Sequence, residues 1–402
     1  MDIVVHDFSG HPFQAELARR LAERGHRVVH LSSAEYVSGK GLLERRDDDP
    51  PSLTFDQISV GRPFPKYSPT QRSRWELAYG KATAEYLRDW PGVAITCNVP
   101  LLAMARVVRA ARRQELPWVF WHQDIYSAAM GDELRRRMPR PVAAPAAAVF
   151  TRIESWCARS ADHIVAIGDA FTRVYPDWGI DLDRVSVIPN WAPLADIVPT
   201  DRDTATTANI FPDAGETLRL LYAGTLGRKH NPLLLVELLR DARATGLDAT
   251  LTVVSQGEAA DDLADAARAD STLQLRVVPF QPAEILAEVL GSADVLVGLL
   301  EPEATEFSIP SKVLSYMAAG RPILGLMPAS NPAAADIRAC GGFVADPTAE
   351  GARQGAAWLA EVGADAEQLA QIGKATRAVA ETRFNPERVT TQFEELLTAI
   401  SR

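Results

Sequence analysis

The sequence predicts an α/β fold in which two doubly wound domains follow one another along the chain, and three observations predict it. Short apolar runs rich in valine and isoleucine alternate with longer stretches of helical periodicity, the mark of parallel strands joined by helical crossovers. That alternation stops once, between residues 193 and 216, where Asp, Thr, Pro and Gly replace it and a linker is expected. The 402 residues suffice for two domains of ordinary size, each with its own core.

The elements follow in order. A strand at residues 3–5 runs into a loop through Gly10, then a helix from about Pro12 to Arg24 that Gly25 ends. Further strands are expected at 28–31, 93–96, 118–121, 163–167 and 185–188. Past the linker come a strand at 218–222, a helix from about Pro232, and a strand at 250–254. A helix near 259–268 and strands at 275–278, 295–299 and 322–326 follow. A last helical pattern covers 386–400. Ligands of such sheets bind at the carboxyl ends of strands, which places His6 to His11, Asn98, and His122 to Tyr126 around one cleft. Gly257 and Phe280 end strands on the corresponding side of the second domain and border it, although packing is the plainer role for Phe280.

Composition narrows the function. Hydrophobic residues make up 47% and charged residues 23%, as in a soluble globular protein. A net charge of −10 argues against a nucleic-acid binder, so bound phosphate must be held by local positive groups. Cys97, Cys157 and Cys340 form no CxxC pair, which predicts neither a zinc site nor a disulfide and fits a reducing cytoplasm. The chain starts on a strand-like DIVV rather than a signal peptide, and no run of about 18 apolar residues spans a membrane. Peripheral membrane contact stays open: Arg62, Phe64, Lys66, Tyr67, Arg72, Arg74 and Trp75 mix cations with aromatics, as an anionic lipid contact or as a solvated loop entering a helix.

Residues 310–322 carry the most information. Pro310, Ser311 and Lys312 start a helix and Gly320 stops it, since proline is tolerated where an N–H has no partner and glycine takes the left-handed stop. The free N–H groups, the helix dipole and Lys312 favour bound phosphate. Upstream, Glu301, Glu303 and Glu306 offer carboxylates to sugar hydroxyls, or stand as solvated loop acids. Gly224, Thr225, Leu226, Gly227, Arg228 and Lys229 lie between a strand and a helix, where glycine lets the backbone approach a ligand. With Lys312, the two cations hold a pyrophosphate; the plainer reading is a turn with surface charges. Phosphate donors beside hydroxyl acceptors suggest a nucleotide-sugar. Asp181 and Asp183 have the spacing of a metal-binding DxD but precede a strand rather than a chelating turn, so no metal and no cofactor are expected. GxSxG, GxxxxGK[ST], HExxH and GxGxxG are absent.

The stretch PSKVLSYMAAGRPIL resembles the donor-site helix of glycosyltransferase family 4, the retaining enzymes of the GT-B architecture. LLYAGTLGRKHNP resembles that family's strand and glycine loop opening its second domain, SVIPNW its interdomain crossover, and the opening thirty residues its first strand, loop and helix. The resemblance implies two Rossmann-like domains facing each other across a cleft: an acceptor domain at 1–192, a linker at 193–215, a donor domain at 216–384, and a helix at 385–402 crossing back to the first domain.

It also implies roles. Gly224, Thr225, Gly227, Arg228, Lys229, Ser308, Ile309, Pro310, Ser311 and Lys312 grip the donor diphosphate, with Arg228 and Lys229 neutralising the leaving group. Glu306 faces the donor sugar, and Ser315 stands where relatives carry a glutamate for the ribose. The family pairs two glutamates with seven residues between them; here Glu306 is one residue off that spacing, and serine carries no charge. His122 lies against donor sugar and acceptor, while Gly10, His11 and Asp124 contact the acceptor; Asp7 and Asp124 are the alternatives if a protein base is needed. FWHQDIY, IPNW and IPSK look most like bacterial members building exopolysaccharide, capsule or O-antigen. The expected partners are therefore a nucleotide-sugar, UDP-linked as is commonest among such relatives, and a saccharide on polyprenyl diphosphate at the cytoplasmic membrane face, with no nucleic acid. A soluble small-molecule acceptor, a nucleotide-sugar 2-epimerase and a non-catalytic sugar-nucleotide sensor are the competing readings.

Overall fold

The computed structural model describes all residues except 37–40, 66–67, 213–214, 228–229, 302–306, 308–309 and 402. The chain divides into two compact units, Met1–Asn190 with Glu387–Arg402, and Trp191–Pro386.

The first unit is built on strands β1 (Asp2–Asp7), β2 (Arg27–Ser33), β3 (Leu53–Ile58), β4 (Val93–Cys97), β5 (Trp118–His122), β6 (His163–Ala166) and β7 (Val185–Val187). They form one sheet in the order β3-β2-β1-β4-β5-β6-β7, every pairing parallel. Parallel strands are covered by helices on both faces, which is why β1 and β4 are mostly apolar at their centres and are buried along nearly their whole length. The order reverses between β1 and β4. Their register pairs His6 with Thr96 and Asp7 with Cys97, so the loops leaving the two strands start side by side. The helix Pro386–Ile400 brings Glu387 and Glu394 to this unit, where Arg24 meets both, at 2.9 and 2.8 Å, and Phe393 packs on Trp121.

The second unit carries β8 (Leu218–Ala223), β9 (Ala249–Val254), β10 (Leu275–Val278), β11 (Val295–Leu299), β12 (Ile323–Leu326) and β13 (Phe343–Ala345), in the parallel order β10-β9-β8-β11-β12-β13. Leu220, Leu251, Val297 and Leu324 are fully buried in its core, each contributing about 1.5–3 kcal/mol through burial. The order reverses between β8 and β11. The segment expected as a linker is folded into this unit: Ile197, Ile210 and Phe211 are buried, and Arg202 pairs with Asp294 at 2.7 Å. Its Asp, Thr and Gly content hides a few well-placed apolar anchors.

Two strands were not anticipated, β3 and β13, and both lie at sheet edges. In β3 the residues Thr54 and Gln57 are exposed while Leu53 and Ile58 are buried, and β13 is only three residues long. Neither offers the long apolar run that marks a central strand.

Candidate active site

A doubly wound sheet opens a crevice where its strand order reverses, at the carboxyl ends of the two strands concerned. In the second unit those strands are β8, which leads into Gly224, and β11, which precedes the helix Ser311–Ala319. Pro310 is the residue before this helix rather than part of its first turn, and it offers no capping side chain. Gly320 ends the helix in the left-handed conformation, at φ 66°.

Lys312 crosses from this helix to the β8 loop. Its Nζ donates to Tyr222 Oη at 2.5 Å and to the Thr225 carbonyl at 3.4 Å, and lies 4.4 Å from the centre of the Tyr222 ring. Tyr222 Oη donates in turn to the Thr225 carbonyl at 2.7 Å. Gly224 sits at φ 143°, and a Cβ there would lie 3.5 Å from Lys312 Cε, so the backbone and the lysine face each other closely. Tyr316, one turn on from Lys312, ties the helix to β8: its Oη accepts from the Ala223 N–H and donates to the Ala223 carbonyl, both at 2.9 Å. No acid pairs with Lys312 among the described residues. Burial alone lowers its pKa from 10.5 to about 8. This is a cation short of a counter-charge, beside a glycine backbone and an uncapped helix start.

Gly227 belongs to the same loop, its N–H donating to His230 Nδ1 at 3.0 Å. Ser311 is exposed and Ser315 half-buried one turn further along. Arg228, Lys229, Glu306, Ser308 and Ile309 lie outside the described residues. Sequence reasoning missed Tyr222 and Tyr316. Their signal was a tyrosine just before the glycine loop and another four residues after the lysine.

In the first unit the reversal falls at β1 and β4, and the structure gathers Asp7, His11 and Asn98 there. Asp7 is fully buried and accepts the His11 backbone N–H on Oδ2, while Asn98 Nδ2 donates to Asp7 Oδ1 at 3.0 Å. His11 Nδ1 lies 3.4 Å from Asp7 Oδ1 and 3.2 Å from Asn98 Nδ2. Burial works to lower the His11 pKa, but its bond to Asp7 and the charges of Asp7 and Asp124 outweigh it and raise it. Burial would raise Asp7, but His11 holds it below the usual range. Gly10 turns the chain at φ 71°, its N–H donating to the Asp7 carbonyl at 3.2 Å. Asp124 is exposed, yet desolvation by the protein around it pushes its carboxyl up to about 6, against the pull of His122 and His11. His11 and Asp124 thus form an interacting pair of groups whose pKa values are both raised.

His122 takes a different place from the expected one. It is 1% exposed, with Nδ1 3.1 Å from Tyr175 Oη and Nε2 3.4 Å from Glu154 Oε1, and its ring stacks on Phe120 at 4.5 Å. Both nitrogens face protein, because β5 ends one residue later than expected and His122 is still inside the sheet. Glu154, another residue the sequence reading missed, is fully buried and accepts the Tyr126 and Ser127 backbone N–H groups, each at 2.9 Å, at the start of the helix Tyr126–Arg137. Its only signal was an acid among the buried positions of a helix. The aromatic stretch near residue 70 also turns inward: Trp75 is 1% exposed, edge-on to Phe64 at 5.2 Å, and Arg72 pairs with Glu76 at 2.8 Å. Asp181 is occupied locally, accepting the Asp183 N–H at 3.1 Å.

Beside the Asp7 cluster the first unit holds a cavity of about 470 Å³, lined by Phe8, Glu35, Tyr36, Arg72, Asn98 and Phe150 among others. A second cavity of about 580 Å³ lies at the opposite end of the sheet, by Trp118 and Asp162 where β5 and β6 begin, away from the strand ends where ligands of such folds bind.

Two doubly wound units, one presenting an anion-ready helix start and the other a cavity with titrating groups, define the two-domain GT-B class of transferases. Residues 11–191 match the glycosyl transferase 4-like domain, and residues 217–360 match the glycosyl transferases group 1 domain. The chain belongs to the family 4 glycosyltransferases that join these two domains. It is 26% identical over 182 residues to the probable glycosyltransferase WbjE of Pseudomonas aeruginosa, a match spanning 44% of this chain and 44% of that protein, less than half the length of either. Among solved structures, sucrose-phosphate synthase of Thermosynechococcus elongatus has the same fold with a TM-score of 0.73 and 16% identity, over 100% of this chain and 99% of that one. HepE of Anabaena, solved in complex with UDP, gives 0.71 and 15% over 99% and 100%.

Proposed function

We propose that this chain is a retaining glycosyltransferase that moves a sugar from a UDP-linked donor to a saccharide carried on a lipid diphosphate, in the building of a surface polysaccharide. One observation carries the reading: Lys312, half-buried and with no acid partner among the described residues, held against Gly224 at the start of an uncapped helix. A nucleoside diphosphate is the ligand this arrangement suits, because two phosphates bring the charge the lysine lacks and accept the free N–H groups. HepE's binding of UDP agrees with it.

Breaking the anomeric bond leaves negative charge on the departing diphosphate while the sugar becomes cation-like. Lys312 and the helix N–H groups stabilise that anion as it forms, and Arg228 and Lys229 are assigned to the same task from their place in the glycine loop. On the acceptor side, Asp7 and Asn98 orient His11, and Asp7 raises its pKa. His11 and Asp124 receive the acceptor hydroxyl, and the departing phosphate helps to take its proton. The diphosphate's charge is met by protein cations, so the reading includes no metal. The acceptor saccharide occupies the cavity beside Asn98, where carboxylates and a guanidinium stand among aromatic rings.

Incubation with a panel of UDP-sugars and lipid extracts, with products resolved by mass spectrometry and anomeric configuration read by NMR, tests this. Release of UDP together with an α-to-α or β-to-β product is expected. Transfer only to water-soluble sugars would reject the lipid acceptor, and an epimer formed without acceptor would reject the transferase.

A further inference from the structure

We propose that the helical hairpin formed by Tyr126–Arg137 and Arg140–Ser160 is the surface by which this chain lies on an anionic membrane, and that a lipid-borne acceptor reaches the cavity of the first unit along it. The second part rests on the acceptor reading above.

The hairpin leaves apolar side chains in solvent on one face. Met138 is 43% exposed, and Val142 and Val149 are 55% exposed. Pro141, Ala144, Pro145 and Ala148 are exposed with them, so positions 141, 145, 148, 149 and 152 make a stripe at helical spacing that ends on exposed Arg152. The opposite face is packed: Ala143, Ala147 and Glu154 are buried. A pattern of one buried face and a second apolar face in water asks for a partner.

Charge says which one. The whole chain carries −10, yet residues 126–152 hold five arginines against two acids. Arg135 and Arg136 spend part of their charge on Asp132 and Glu133, at 2.6 and 3.0 Å. Arg140 and Arg152, exposed at the two ends of the stripe, have no acid partner among the described residues. Apolar groups that enter the acyl boundary, flanked by cations at headgroup level, match an anionic bilayer surface. No described helix is long and apolar enough to cross a membrane, so this contact is one of lying on it.

The same two helices wall the cavity. Met130 from the first helix and Phe150 from the inner side of the second line it, with the exposed stripe on the outer side of the same helix. On its far side stands Asn98, bonded to Asp7. Glu35 is in the same wall, with Oε1 accepting the Val60 N–H at 2.8 Å and Oε2 buried without a partner among the described residues. Apolar Met130 and Phe150 on the hairpin side and the carboxylates Glu35 and Glu76 with Asn98 in the rest of the lining suit a lipid-linked saccharide: tail along the hairpin, hydroxyls toward Glu35, Glu76 and Asn98.

Flotation of the full-length protein with vesicles tests the surface. The wild type should rise with vesicles containing phosphatidylglycerol, stay behind with pure phosphatidylcholine, and be released as salt is raised. Val142→Glu with Val149→Glu, and separately Arg140→Glu with Arg152→Glu, should each cut flotation about tenfold or more. All four side chains are in solvent, so the melting temperature should hold, and transfer to a water-soluble acceptor should stay at the wild-type rate. Transfer to acceptor embedded in vesicles should fall with flotation. Equal flotation on both lipids, or variants that float like the wild type, would overturn the surface. So would a dimer in light scattering that these variants dissolve while no vesicle binds, since the occupant would then be a second copy. Wild type that floats but transfers sugar only to soluble acceptors would overturn the lipid route and leave the docking surface standing.

Discussion

The two sheet reversals of this chain start helices in the same way and treat charge in opposite ways. At β8 and β11 the lysine of the helix start, Lys312, meets a phenol and a carbonyl and, among the described residues, no acid, and its pKa sinks to about 8. At β1 and β4 the histidine of the helix start, His11, is backed by buried Asp7 and its pKa rises. The first site keeps its positive charge for a ligand. The second has spent it on a carboxylate and is left able to exchange a proton. One topology therefore yields an anion grip or an acid–base site according to whether the strand ends in a tyrosine and glycine or in an aspartate.

The sharpest way to break this contrast is Lys312→Ala. A charge-assisted contact is worth about 1.5–3 kcal/mol, so turnover should drop roughly 10- to 100-fold or more. The melting temperature should hold, and the His11 titration seen by NMR should not move. Lys229→Ala should have a comparable effect on turnover. Wild-type rates in both variants would remove the anion grip.

The next effect is on pH. Free Lys312 titrates at about 8, whereas beside a bound diphosphate its pKa must rise, so binding takes up a proton above that pH. UDP affinity should therefore be full below pH 8 and fall by at most about tenfold per unit above it, down to the level of the Lys312→Ala variant. Calorimetry from neutral to alkaline pH measures this. A flat profile would mean that the lysine keeps its charge by other means.

Tyr316→Phe sharpens the contrast by loosening only the geometry. It removes both bonds to Ala223 and leaves a buried N–H unpaired, a cost of about 1–3 kcal/mol. UDP binding should weaken by roughly fivefold as the helix start shifts from β8. On the acceptor side, Asp7→Asn removes the charge that raises His11, so the His11 pKa should fall in an NMR titration while UDP affinity stays unchanged. The smallest effect expected is that of chelation: EDTA should leave turnover unaltered, and a loss restored by a divalent cation would show that protein charge does not suffice.

Much of this was legible along the chain. Strands β1, β4, β8 and β11 are rich in Val, Ile and Leu because both their faces are buried, and the Pro310 start and Gly320 stop of the key helix follow from backbone chemistry alone. Edge strands β3 and β13 were not legible, since half-exposed or very short strands lack that pattern. Lys312 was found from its place behind a proline and a serine. Its contact with Tyr222 was not, because 90 residues separate the two. His122 was read as open because it ends an apolar strand; it is closed because Glu154 and Tyr175, from distant segments, cover both its nitrogens.

The sequence by itself determined the local events: which apolar runs are central strands, where glycine and proline turn the chain, and where the helix Ser311–Ala319 starts and stops. These rest on side chains and backbone within a few residues of one another. Only the tertiary structure decided which charges are paired. Asp7 under His11, Glu154 under His122 and the phenol and carbonyl that Lys312 meets depend on strand order and register, and a pKa reports what surrounds a group in space.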